Sequence, residues 1–179
     1  MVGFDGLLHQ PLVDNTSQAN NHNAAVSDDM FNEIRAKLGK YEGRPSELVY
    51  VCDINTFIRS LSVGNFRTLD KFGPQATPLT GQLGAVEGIP VIVSEQMDLA
   101  DTDGKVTDSG NCTDTGRLLI VNRSQWRVGV KRELAVETVR DAPKRQNIMV
   151  VSFRIALQER IGSRSTATHT ALQYDITGV

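Results

Sequence analysis

Residues 69–94 read LDKFGPQATPLTGQLGAVEGIPVIVS, and the two halves of this stretch obey different rules. The first half is rich in turn formers: Gly73-Pro74, Pro78, Gly81 and Gly84. Proline lacks an amide donor and collides with the preceding helical turn, so Pro74 to Pro78 cannot lie inside a helix. The residue before each proline is held extended as well. The second half is a compact apolar run, Ile89-Pro90-Val91-Ile92-Val93, entered through Glu87-Gly88. The whole predicts an extended, kinked connection that delivers a β-hairpin with its reversal near Gly88. No side chain in it is suited to act on a substrate, so the stretch reads as scaffold.

Upstream, residues 1–26 are polar after Phe4-Asp5-Gly6-Leu7-Leu8, and Asn15 to Asn23 predicts a loop. A helix is expected from about Ser27, with Asp28 and Asp29 favouring its N-terminus. Met30, Phe31, Ile34 and Leu38 share one face, Glu33 and Lys37 are spaced for an i,i+4 pair, and Gly39 suits the end. After the turn Arg44-Pro45-Ser46, a strand is expected at Leu48–Cys52. A short helix then follows from about Ile54 to Leu61, with Phe57, Ile58 and Leu61 apolar. This rhythm of helix, strand and helix is that of an α+β fold.

Downstream, residues 94–116 are acidic and aperiodic and predict an exposed loop. Anchoring a calcium-loop pattern on Gly104 places Asp101 and Asp103 well. It also puts Leu99 at the first ligand position and Gly110 where a bidentate glutamate belongs, which argues against calcium. A β-rich block follows: a strand at Leu118–Asn122, another at Trp126–Val130, and a half-buried alternation at Leu134, Val136 and Thr138. Asn147–Leu157 is the longest late strand. It has Ile148, Val150, Ser152 and Arg154 on one face and Met149, Val151, Phe153 and Ile155 on the other. Residues 162–170 read as a flexible polar linker and Ala171–Thr177 as a last strand or an ordered tail.

The chain has 179 residues, 40% hydrophobic, which suits one domain or one domain with an appendage. Its net charge of −2 argues against a dedicated nucleic-acid binder. The charge is divided, however: residues 1–116 hold 8 Lys/Arg against 16 Asp/Glu, and residues 117–164 hold 11 against 4. Such a division suits head-to-tail electrostatic complementarity between copies, although two solvated faces can also differ by chance.

Cys52 and Cys112 make neither a disulfide framework nor a metal-binding pair, and Cys52 reads as a buried free thiol. The N-terminus has no secretory pattern and no run is long enough to span a membrane, so a reducing cytoplasm is expected and the glycosylation triplets at Asn15, Asn111 and Asn122 read as idle. Gly81-x-x-Gly84 lacks the lysine of a phosphate loop. His9, His22 and His169 are far apart in sequence, and there is neither a metalloprotease motif nor a nucleophile elbow. Trp126 and Arg127 beside Arg123 suit nucleic-acid stacking less well than a core tryptophan flanked by solvated arginines. No catalytic, cofactor-binding or metal-binding residue is nominated, no cofactor is expected, and the chain is not expected to be an enzyme.

Several of these stretches together resemble the central domain of tailed-bacteriophage major capsid proteins. They are Phe31-Asn32-Glu33-Ile34-Arg35-Ala36-Lys37-Leu38-Gly39, Leu48-Val49-Tyr50-Val51, residues 68–77 (TLDKFGPQAT), Thr80-Gly81 and residues 88–94 (GIPVIVS). Lys131-Arg132-Glu133 and Gln146-Asn147 ahead of a long strand continue the likeness, which spans roughly residues 27–157. The resemblance implies the capsid fold named after phage Hong Kong 97: an α/β axial domain plus the β-rich part of a peripheral domain. On that mapping residues 1–26 are a polar N-terminal segment, 27–123 the axial-type domain, 124–161 the peripheral-type β block and 162–179 a tail.

The resemblance also implies a structural role. It is that of a phage or prophage major capsid subunit, or a fragment of one corresponding to its C-terminal portion, that self-associates into hexamers and pentamers of an icosahedral head enclosing DNA. Other capsid, portal or scaffold proteins would be further partners, contact with packaged DNA would be nonspecific at most, and no membrane is involved. The location would be the virion capsid, after synthesis in a bacterial cytoplasm. Members of the family carry an N-terminal arm, an extended loop and a spine helix ahead of this region. Only 26 residues precede the first helix here, so closed shells are not expected from this chain alone. Rival readings are an encapsulin-type compartment subunit and a small α+β enzyme or binding domain.

Overall fold

A computed structural model describes residues 5–63, 84–106, 114–141, 143–160 and 163–178. The turn-rich half of the opening stretch, residues 69–83, and Cys112 lie outside them. The strands are β1 (Ala19–Ala25), β2 (Leu48–Cys52), β3 (Ala85–Val86), β4 (Ile89–Val93), β5 (Gly116–Asn122), β6 (Trp126–Asp141), β7 (Gln146–Glu159) and β8 (Thr170–Thr177). Helix α1 is Asp29–Ala36 and α2 is Ile54–Ser60.

Six strands form a mixed sheet in the order β1-β8-β5-β2-β4-β3, and β6 pairs with β7 as a separate two-stranded ribbon. The sheet is parallel at β1/β8 and β2/β4 and antiparallel at β8/β5, β5/β2 and β4/β3.

The alternation of side chains along a strand gives the sheet two apolar faces. Leu48, Tyr50 and Cys52 of β2 and Leu118 and Ile120 of β5 pack on the face covered by Met30, Phe31, Ile34 and Leu38. Val49, Leu119 and Val121 pack on the other face with Met97, Leu172 and, at its edge, Leu7, Leu8 and Leu12. Burial on both faces explains why β5 reads as an unbroken apolar run. In β8, Asp175 takes a left-handed φ of 58° and adds one residue against β5, so Ile176 returns to the same face as Ala171.

The core is pinned by polar bonds. Tyr50 donates its hydroxyl proton to the Phe31 carbonyl at 3.0 Å, and the two rings meet edge to face with centroids 5.2 Å apart. Burial raises the Tyr50 phenol pKa well above its ordinary value. Cys52 is a buried free thiol whose pKa burial, and then neighbouring Asp53, push up to about 12. Asp53 caps α2 by accepting from the Thr56 amide, and its other oxygen accepts from the Arg117 amide, each at 2.9 Å. The β3–β4 reversal falls at Glu87-Gly88, with φ of 51° and 79°, the two left-handed residues a tight hairpin turn needs. Arg35 ties α1 to that turn through Glu87 at 2.8 Å.

Several expectations are corrected. Residues 15–23 are not a loop: Asn15 opens a short helical turn, Thr16–Gln18, that leads directly into β1. An edge strand pairing on one side through its backbone needs no apolar alternation, so ANNHNAA gave no strand signal. Residues 163–170 are not a flexible linker but lead directly into β8, and of the two readings of Ala171–Thr177 the strand holds: β8 is an interior strand between β1 and β5. The main chain there is fastened by Gln10 and Asn15, whose side-chain amides both donate to the Ala167 carbonyl at 2.9 Å. Glu33 and Lys37 do not pair: Glu33 accepts from Gln173, and Lys37 reaches the Ser17 carbonyl. In α2 the fully buried residues are Thr56 and Ser60, whereas Ile58 stays exposed. The acidic loop is partly anchored, with Ala100 buried and bonded to Thr115 in both directions at 2.9 Å. Trp126–Val130 is only the first part of one 16-residue strand.

Candidate assembly surface

The ribbon leaves the body immediately after β5, through a short turn, Arg123–Gln125, capped by the Asn122 side chain. Its register opposes Val128 to Leu157, Val130 to Ile155, Val136 to Val151 and Thr138 to Met149. Directly opposed residues of an antiparallel pair share a face. Two register shifts between Val130 and Ala135 place two extra residues in β6, so the parity of the face is kept along the ribbon. One face therefore carries Val128, Val130, Val136, Met149, Val151, Phe153, Ile155 and Leu157. The opposite face carries Arg127, Arg132, Arg154, Glu137 and Asp141 with fewer apolar groups.

Among the described residues nothing covers the apolar face. Its side chains keep from 38% (Ile155) to 66% (Met149) of their area in solvent, Leu157 being partly buried. The half-buried alternation expected around Leu134–Thr138 is thus corrected: the strand forms, but Leu134 and Val136 are exposed. A two-stranded hairpin is marginal by itself in water, and contiguous exposed apolar patches of this kind mark interaction surfaces.

The ribbon's root is the second feature of the surface. Trp126 and Glu159 are its first opposed pair. The Trp126 indole N–H donates to the Thr170 hydroxyl at 2.9 Å, and its ring lies 5.4 Å from that of His169. His169 is fully buried, with Tyr41 on another side at 6.0 Å. Its Nε2 lies 3.7 Å from Glu159, too far for a hydrogen bond, and among the described residues neither ring nitrogen has a hydrogen-bond partner.

Burial lowers the His169 pKa to about 4, so the ring is neutral in the folded state. Burial raises that of Glu159, opposed by Arg164 and aided by Asp14. Arg164 reaches Glu159 at 3.9 Å, Asp14 at 3.7 Å and Asp5 at 2.9 Å, so the ribbon's root is joined electrostatically to the N-terminal segment. No sequence signal marks the Glu159–His169 approach: ten positions separate the two residues, and it arises only because β7 and β8 meet there.

The other sequence candidates do not converge. His9 pairs with Asp14, which shares Arg164 with Glu159, whereas His22 lies apart near Glu33 and Gln173; no two of the three histidines meet. Among the described residues no group of three His, Cys, Asp or Glu side chains is placed to hold a metal ion. Asp103 accepts from the Lys105 amide at 2.9 Å, the bond of a local turn. A depression of about 290 Å³ is lined by Lys40, Tyr41, Gly43, Arg44, Glu47, Asn122 and Gln125. Arg44 and Glu47 pair there at 3.0 Å, and the Asn122 amide is taken by the Tyr41 carbonyl. Among the described residues no helix is long and apolar enough to cross a membrane. Trp126 is half-buried with Arg127 exposed beside it.

A mixed α/β body with a long projecting ribbon is the architecture of phage capsid shells, and the chain has the Hong Kong 97-type capsid fold. It superposes on a solved structure from Mycobacterium phage Che8 with a TM-score of 0.61 at 17% identity, covering 93% of this chain and 56% of that one. It also superposes on a chain from the mature capsid of bacteriophage PhiM1, with a TM-score of 0.57 at 14% identity over 85% of this chain and 47% of that one. In sequence it is 24% identical over 133 residues to the major capsid protein of Escherichia phage T5, which is 74% of this chain and 27% of that relative. The chain thus spans about a quarter of the curated relative and about half of the two solved chains. No protein-family model matches it.

Proposed function

We propose that the chain is a shell-forming part of a tailed-phage or prophage major capsid subunit, with a structural rather than catalytic role. It associates with further copies into the hexamers and pentamers of an icosahedral head around DNA. The body, residues 27–123 joined by β1 and β8, acts as the axial-type unit, and the ribbon within 124–161 as the peripheral-type unit that reaches neighbouring copies. Portal and scaffold proteins are further partners, contact with packaged DNA is nonspecific, and the location is the virion capsid. No catalytic, cofactor-binding or metal-binding residue is assigned.

The observation that carries this reading is the apolar face of the ribbon, exposed among the described residues, on a body of capsid-type fold. Covering its eight side chains would contribute on the order of 10 kcal/mol before the entropic cost of association. Interfaces that repeat head to tail close into rings when the rotation closes, and many modest interfaces together stabilise a shell.

The test is self-association of the chain by sedimentation equilibrium up to millimolar concentration. The parent is expected to be a monomer or small oligomer at micromolar concentration and to associate further above it. Val151→Asp with Phe153→Asp should remove that association while the circular dichroism and the melting temperature of the body stay unchanged. Unaltered association in the double variant would exclude the ribbon as the assembly surface.

A further inference from the structure

The ribbon's opposite face calls for a partner of its own. Arg132 stands directly across from Arg154, Arg127 across from Gln158, and the Arg160 amide bonds the Gln125 carbonyl at 2.7 Å, which continues the same ladder. Four guanidinium groups therefore line the body-proximal half of one face, over roughly 20 Å at about 3.3 Å per residue. The same-face pair between Arg127 and Arg132 is small, Gly129 opposite Ala156, and so is the next pair beyond Arg132 and Arg154, Ala135 opposite Ser152, so the guanidinium groups are not walled off by bulky side chains. Arg132 meets Glu137 at 3.3 Å, whereas among the described residues Arg127, Arg154 and Arg160 meet no carboxylate. Like charges directly opposed on a sheet repel, and an anion brought to this face would relieve that repulsion.

The chain supplies such an anion elsewhere. Residues 1–125 carry a net charge of −6 and residues 126–160 a net of +4. The acid is densest in residues 95–106, which hold Glu95, Asp98, Asp101 and Asp103 and a single basic residue, Lys105. Glu95, Asp98 and Asp103 are exposed. Buried Arg117 holds residues 98–104 from beneath through the main-chain carbonyls of Asp98 and Gly104, so that stretch is a shaped surface.

We propose that the arginine face of the ribbon docks on the acidic residues Glu95, Asp98 and Asp103 of a second copy of this chain; this rests on the shell-subunit reading above. Each ribbon is then held between two neighbours, one covering its apolar face and one neutralising its arginines. Planar guanidinium forks match carboxylates in paired geometry, which fixes register as well as charge. A second copy suits the face better than nucleic acid. Glu137 and Asp141 share the face, and a body of net −6 repels a polyanion.

The experiment is sedimentation equilibrium on the whole chain at 50 and 500 mM salt, with folding checked by circular dichroism. Arg132→Glu with Arg154→Glu is expected to weaken association at least about tenfold at low salt, and the difference should shrink at 500 mM. Arg132→Lys with Arg154→Lys should retain most of it. Mixing the Glu variant with Glu95→Arg/Asp98→Arg/Asp103→Arg should restore association between the two species. Arginine variants that associate like the parent, while Val151→Asp/Phe153→Asp does not, would overturn the proposal and leave the shell-subunit reading standing. Parent-like association in both sets would overturn both. Loss of binding to a 30-base-pair DNA duplex with self-association unchanged would reassign the face to nucleic acid and overturn the proposal.

Discussion

Strands β5 and β7 are both rich in large apolar residues, yet the molecule treats them in opposite ways. Every residue of β5, Gly116–Asn122, is buried, whereas β7 exposes Ile148, Met149, Val150, Val151, Phe153 and Ile155. The difference lies in neighbours rather than in composition. The fifth strand has β8 on one side, β2 on the other, α1 over one face and the N-terminal leucines over the other. The seventh has β6 on one side and nothing described on the rest. Apolar residues inside the body hold one chain together, and those on the ribbon are available to hold several.

The largest effect expected from this contrast is in the body. Ile120→Ala should destabilise the folded chain by about 2–5 kcal/mol, because the cavity it leaves lies between two packed faces. Chemical denaturation would register it as a lowered midpoint, and a loss near zero would mean that β5 is less enclosed than its burial implies.

Gly88→Val comes next. The reversal needs a φ of 79° there, and a β-branched residue in the left-handed region costs about 1–2 kcal/mol, although no neighbour lies within 4 Å of the added Cβ. Denaturation again measures it, and an unchanged midpoint would show that β3 and β4 do not report on the body.

The junction between the two regions is tested by pH. His169 has a folded pKa lowered to about 4 from 6.5, so below 6.5 the unfolded chain takes up a proton that the fold refuses. Stability then falls as pH falls from about 6.5 toward 4. Glu159 acts with the opposite sign, since its raised pKa means the unfolded chain ionises first as pH rises. His169→Phe fills the space beside Trp126 and removes two buried nitrogens without hydrogen-bond partners. Its melting temperature should vary less between pH 4 and 6.5 than the parent's; an identical profile would place the proton uptake elsewhere.

The smallest effect on folding is expected on the ribbon. Phe153→Ala should change the stability of the isolated chain by no more than about 0.5 kcal/mol, as for other exposed positions. A loss as large as that of Ile120→Ala would mean that the ribbon is part of the core, and the contrast would fail.

Much of this architecture was legible from the residues alone. The face of α1 that carries Met30, Phe31, Ile34 and Leu38, the strand Leu48–Cys52 and the reversal at Gly88 all follow local rules of periodicity and turn chemistry. The two faces of β7 were readable too, because side chains alternate in any strand. The polar strand β1 was not, because its pairing rests on backbone groups that every sequence shares. The interior place of β8 was also hidden, since GSRSTATHT resembles a linker until His169 and Thr170 are packed against the root.

Residue order alone thus determined both helices, the apolar strands, the alternation of their faces and the division of charge, since these depend on neighbours a few positions away. Which apolar strand became core and which became surface was decided only in three dimensions. That outcome depends on what lies across each face, and long-range pairing such as β1 with β8 sets it. It is also what brought Glu159, His169 and Trp126 together at the base of the ribbon.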